Sequence, residues 1–178
     1  MMTSLLGVLP LFAGAGMMPA DADHAEVITA CTQTVYDYAW YLDHPGDDLA
    51  VTAAAFADLF TEDGVAVLAN ARLVEETHEG HAAIEARYLQ GRDRLRFFHV
   101  MSNVRIQPLS ATQASGTSYV TVYIHPIGGS MEEDGAVRVL AEYRDHYVME
   151  EGQCLLTHRR SVVRMIDRDG VISPPQDE

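Results

Sequence analysis

The sequence predicts an α+β fold in which N-terminal helices lie on one face of a curved, cone-shaped, largely antiparallel sheet. Three observations carry this prediction. Apolar residues recur at helical spacing from Ala25 to Asp43, long segments of period-two alternation fill the chain from Arg96 onward, and the two kinds of segment do not alternate as a βαβ fold requires. The 178 residues, 48% hydrophobic and 21% charged, suffice for one sizeable core and do not have the composition of a disordered chain.

Each element has its own signal. Val27, Cys31, Thr34, Val35, Tyr38, Tyr41 and Leu42 form the apolar stripe of a first helix, which His44-Pro45-Gly46 stops near Asp43. Asp47 or Asp48 can cap a second helix over Leu49–Phe60. Thr61–Gly64 is a turn into a short apolar strand, Val65–Leu68, and a third helix spans His81–Leu89 before Gly91. Four long strands then run over Arg96–Gln107, Ser115–Pro126, Val137–Glu150 and Cys154–Asp167, the last pair joined at Glu151-Gly152. The domain is read as residues 23–170, followed by a flexible tail at 171–178.

Residues 1–22 read as a detachable leader. The apolar run Leu5–Met18 is too short for a confident membrane span and precedes Ala20-Asp21-Ala22, a small-x-small pattern that favours export to the periplasm or beyond. No basic residue precedes that run, so an apolar leader on a cytoplasmic protein stays open. Cys31 falls on the apolar stripe and Cys154 opens an apolar strand; buried thiols are the simpler expectation and a disulfide the alternative. The net charge is −14 and every basic residue is Arg, which argues against nucleic acid or an anionic membrane as partner.

Strand parity points to a hollow. Val139, Ala141, Tyr143, Asp145 and Tyr147 share one face, opposite the solvent-facing Arg138, Glu142, Arg144 and His146. A solid core rejects an unpaired carboxylate, so Asp145 suggests a concave, partly wet pocket, or else a pair with an arginine such as Arg160. Phe97, His99, Met101 and Asn103 on one strand, and Thr117, Tyr119, Thr121, Tyr123 and His125 on the next, show similarly mixed faces. A sheet curled around a small-molecule cavity explains all three.

The stretches "AWYLDHPGDDLA", "AFADLFTEDGVAVL", "EGHAAIEARY", "FHVMSNVRI" and "AEYRDHYVMEEGQCLLTHRRSVVR" resemble, in order and spacing, the SnoaL-like branch of the nuclear transport factor 2-like superfamily. The likeness covers Ala25 to Asp167 and implies a cystatin-like α+β roll. A Trp common in the family before the last strand is missing here, with Cys154 nearby instead. In the branch of scytalone dehydratase, bile-acid 7α-dehydratase and hexachlorocyclohexane dehydrochlorinase, an Asp closing the first helix and a His opening the long strand form a base dyad. The resemblance puts Asp43 and His99 on those positions, and Tyr38 on a tyrosine of the bile-acid enzyme.

The activity this resemblance implies is that of a cofactor-independent, metal-free dehydratase or isomerase acting on a hydroxylated, largely apolar ring compound of steroid, terpenoid or polyketide type. His99 is the base, Asp43 orients it, and Tyr38 donates to a substrate oxygen. Phe97, Met101, Asn103, Tyr119, Tyr143 and Asp145 are the expected substrate-binding set. Positions 38 and 43 lie roughly 140° apart on an ideal helix, so Asp43 must lean inward to share a cavity with Tyr38. A binding or assembly module without chemistry, and a SnoaL-type polyketide cyclase using Asp145, remain as alternatives. The resemblance also implies a homodimer.

Overall fold

The computed structural model describes residues 19–69, 74–128, 137–168 and 171–173. The expected leader therefore lies outside the described residues up to position 18, as does the tail from position 174. Helix α1 (Pro19–Asp43) begins six residues before the first residue of its apolar stripe's segment, Ala25. It is followed by α2 (Leu49–Ala57), β1 (Phe60–Ala69), β2 (Glu75–Glu79), α3 (His81–Leu89), β3 (Leu95–Pro108), β4 (Gln113–Pro126), β5 (Val137–Glu150), β6 (Gln153–Arg168) and β7 (Val171–Ser173).

One mixed sheet runs β2-β1-β6-β5-β4-β3, with β7 also paired to β6. β1 lies parallel to β6, and every other pairing is antiparallel. The helices cover one face: α1 packs on β3 and β6, and α2 packs on α3. The buried stripe of α1 (Val27, Cys31, Val35, Tyr38) meets Phe56 and Phe60 from the next elements and Val120, Ala141 and Leu156 from the sheet.

The second helix stops at Ala57, earlier than its apolar pattern suggests. Asp48 caps its start, accepting from the Ala50 and Val51 amides at 3.0 and 3.2 Å. Phe60 instead opens β1 and is buried. β2 has no sequence signal because its Glu and Thr residues form a polar edge, where a strand has no apolar face to show. Val171–Ser173, expected in the tail, is a strand on β6.

The thiol expectation is corrected: Cys31 and Cys154 form a disulfide that ties α1 to β6 across 123 residues of sequence. Beside it, the Thr34 hydroxyl donates to the Cys154 carbonyl at 2.6 Å. Closing so long a loop constrains the unfolded chain, and such bonds persist where thiols are kept oxidised. No helix among the described residues is long and apolar enough to cross a membrane.

Candidate active site

The last turn of α1 closes with the His44 amide donating to the Trp40 carbonyl at 2.9 Å, and the chain then turns away at Gly46, whose φ of +65° suits glycine. This leaves Asp43 as the terminal helical side chain, directed at β3. Both of its oxygens are engaged by one residue. Oδ2 accepts from the His99 amide at 2.8 Å, and Oδ1 lies 2.5 Å from His99 Nδ1. The two side chains are 9% and 5% exposed. A backbone amide and a ring nitrogen on one carboxylate fix the tautomer, with Nδ1 carrying the hydrogen and Nε2 left as the basic nitrogen. Nε2 has no hydrogen-bond partner among the described residues.

His99 lies on the wall of a cavity of about 790 Å³. Tyr38 and Leu42 of α1, Phe56 of α2 and Tyr88 of α3 line it on the helical side. Val120, Val122 and Ile124 of β4, Val139, Ala141 and Tyr143 of β5, and Ser161 and Val163 of β6 line it on the sheet side. The walls are mostly hydrocarbon and aromatic ring, as a pocket for a largely apolar molecule requires, with Glu76, Arg87, Gln90, Arg92 and Arg94 as a polar and charged part of the lining. Asp43 therefore reaches inward from the helix end, while Tyr38 reaches the same space from one turn earlier.

Tyr38 is buried, edge-on to Tyr143 at 5.7 Å between ring centroids, and the Arg159 guanidinium carbon lies 3.9 Å from its ring centre. Burial raises its phenol above the usual tyrosine value, with the Arg159 charge pulling the other way, so the hydroxyl stays protonated and able to donate. Tyr143 is raised for the same first reason.

Of the expected substrate-binding set, Phe97 and Tyr143 line the cavity and four residues do not. Asp145 is not a pocket acid. It is 3% exposed and accepts from Arg159 Nε at 2.9 Å, Arg159 Nη2 at 2.7 Å and the Tyr147 hydroxyl at 2.7 Å. Its partner is Arg159, its cross-strand neighbour; Arg160 points the other way, to Glu75. Asn103 is exposed because a bulge between Ser102 and Arg105, with Asn103 at φ 49°, inverts the parity of β3. Met101 packs on the core without lining the cavity. Tyr119 is 41% exposed: the inward set of β4 is Ala114, Gly116, Ser118 and Val120, and the Thr/Tyr face is the outer one. Tyrosine and threonine favour strands on either face, so their alternation alone does not say which face is inside.

Sequence reasoning missed the arginines of this wall. Arg87 and Arg92 both line the cavity, as does Arg94, which stands 3.6 Å from Asp93. Arg92 belongs to "RDRLR", which reads as a solvated cluster, yet it is 5% exposed between the rings of Tyr88 and Phe97. A signal existed: Ile84, Tyr88 and Arg92 recur four apart, on the buried row of α3 continued past its end. Among the described residues no three His, Cys, Asp or Glu side chains cluster as metal ligands.

A sequence model of the SnoaL-like domain matches residues 23–160. The chain belongs to the SnoaL-like family. No protein of curated description matches it. Among solved structures, this SnoaL-like chain is similar to a protein of Novosphingobium aromaticivorans DSM 12444 provisionally assigned as a scytalone dehydratase. The two share 21% identity with a TM-score of 0.65, over 85% of this chain and 95% of that one. It is also similar to hexachlorocyclohexane dehydrochlorinase LinA-type3 from Novosphingobium barchaimii LL02, at 15% identity and a TM-score of 0.67, over 88% and 100% of the two chains. A cystatin-like protein of Nostoc punctiforme PCC 73102 is similar at 18% identity and a TM-score of 0.56, over 76% and 89%. At these identities the likeness is one of fold, and function has to be argued from the site.

Proposed function

We propose that this SnoaL-like protein is a cofactor-independent lyase of the dehydratase or isomerase type, acting on a hydroxylated, largely apolar ring compound. The observation that carries the proposal is the Asp43–His99 contact at 2.5 Å on the wall of an apolar cavity, with Nε2 unengaged. In this reading Nε2 takes a proton from carbon next to a carbonyl, and Asp43 stabilises the imidazolium as it forms. Tyr38 donates to the oxygen that gains negative charge, or to the hydroxyl that departs. His99 can return its proton to the leaving oxygen, so an elimination balances with water as the second product. Fold neighbours that include a provisional scytalone dehydratase and a dehydrochlorinase support an elimination rather than a transfer.

The cyclase alternative needs Asp145 in the pocket and has lost its acid to the ion pair with Arg159. The test is a screen of hydroxysteroids, terpenoid alcohols and polyketide alcohols, read by loss of water in mass spectrometry, with wild type beside His99→Ala. Turnover that depends on His99 supports the lyase. Turnover untouched by the substitution removes the dyad, and saturable binding with no turnover of any compound favours the reading as a binding module. The outer sheet face exposes Phe98, Val100, Tyr119 and Met165, and a homodimer through that face belongs to the same proposal. A monomer mass in light scattering would remove it.

A further inference from the structure

All 12 Lys/Arg residues of this chain are arginine, and among the described residues they are mostly matched to a carboxylate. Arg138 pairs with Asp167, Arg144 and Arg164 with Glu142, Arg159 with Asp145 and Arg160 with Glu75. Of the three arginines on the cavity wall, Arg94 meets Asp93 at 3.6 Å, and Arg87 and Arg92 break the pattern, although acidic residues outnumber basic ones by 26 to 12. Arg92 donates from Nε to the Tyr88 carbonyl at 3.1 Å and from one terminal nitrogen to the Leu42 carbonyl at 2.5 Å. Those neutral oxygens hold the guanidinium plane in place between two rings without cancelling its charge. Arg87 has a buried Nε with no hydrogen-bond partner and forms no salt bridge to a described carboxylate.

Asp43 accepts from the amide and ring of His99 and its charge also acts on Arg92, while Glu76, on the same cavity wall, stands 3.9 Å from His78. The charge of Arg87 reaches the cavity floor, where it acts on both Tyr38 and Tyr143. A guanidinium kept from water with only neutral hydrogen-bond partners is costly, so the buried Arg92 and the half-buried Arg87 with its unpartnered Nε suit an occupant that supplies an anion. The planar fork of a guanidinium matches a carboxylate in particular.

We propose that the molecule bound in this cavity carries a carboxylate, which Arg87 and Arg92 hold while its apolar ring fills the space toward His99. The proposal deepens the lyase reading, resting on it for the identity of the reacting end. The carboxylate is an anchor remote from the reacting carbon, and the two arginines are specificity residues.

The test measures binding of matched pairs to the full chain by calorimetry: 2-naphthoate against 2-naphthamide, and 4-phenylbutyrate against its amide, with 2-naphthyl phosphate as a third arm. The acids are expected to bind wild type at least about tenfold more tightly than the amides. Arg87→Met should remove that preference while keeping the wild-type melting temperature; Arg92 is left intact because it ties α1 to the end of α3. His99→Ala should lower any turnover by at least about 10²-fold and keep the acid preference, which separates failure of the lyase reading from failure of this one. Equal binding of acid and amide, no binding of either acid at millimolar concentration, tighter binding of the phosphate, or an acid preference that survives in Arg87→Met would each overturn the proposal.

Discussion

Two carboxylates of this protein each meet one nitrogen-bearing partner, and the contrast between them separates a structural pair from the one proposed to be catalytic. Asp145 and Arg159 are 1% and 0% exposed at the side chain, joined by two hydrogen bonds and flanked by the Tyr147 hydroxyl. Asp43 and His99 are nearly as buried and equally close. The difference lies in what the partner has left over. Arg159 cannot give up a proton near neutrality; it puts Nε and Nη2 on Asp145 and lies over the rings of Tyr38 and Tyr143, and its Nη1 is buried without a hydrogen-bond partner. A histidine exchanges its proton in the physiological range, and His99 spends only one ring nitrogen on Asp43 while lying on a cavity wall. Burial and pairing do not distinguish the two; a ring nitrogen without a partner among the described residues, on a residue that lines the cavity, does.

Substitution at the two pairs should therefore separate cleanly. His99→Ala should lower kcat/KM for any substrate found by about 10²- to 10⁴-fold, at a stability cost of no more than about 1.5 kcal/mol. Asp145→Ala should do the reverse in denaturant melts, costing about 3–5 kcal/mol because it strands a buried guanidinium. Steady-state kinetics and urea titration of the two variants, run side by side, would undo the contrast if the effects were exchanged. Next in size is the disulfide, which anchors the α1 helix that carries both Tyr38 and Asp43. Reduction should cost about 2–4 kcal/mol, seen as a lower denaturant midpoint with reductant than without.

The smallest effect concerns a histidine governed first by its burial. His78 stands near Arg87, and burial first, then that charge, lowers its pKa below 6.5. The unfolded chain then binds the proton at higher pH than the folded one, so stability is lost as pH falls below about 6.5 toward the folded value and is unaffected above it. His78→Gln should flatten the decline in melting temperature between about pH 7 and pH 5, a change small beside the others.

Much of the fold is legible along the chain, for reasons that particular residues make plain. The α1 stripe and the long alternating strands are local signals, since each residue's neighbours at three, four or two positions decide which way it faces. The inward face of β5 is readable because its two sides differ sharply, with Arg138, Glu142 and Arg144 opposite Val139, Ala141 and Tyr143. β4 misleads because both of its faces suit a strand. Asn103 misleads because a bulge adds one residue and inverts every side chain beyond it, which no period-two count detects.

Local pattern suffices for the α+β order, for the breaks at Pro45-Gly46 and Glu151-Gly152, and for which residues can do acid–base work. It does not reach the question of which of those residues meet. The Asp43–His99 contact spans 56 positions and Asp145–Arg159 depends on the register between β5 and β6, while the disulfide spans 123. Periodicity constrains the direction of a side chain, whereas partnership depends on how elements cross. That crossing is set by the packing of the whole core, and this is why Arg87 and Arg92 come to light only once the cavity has walls.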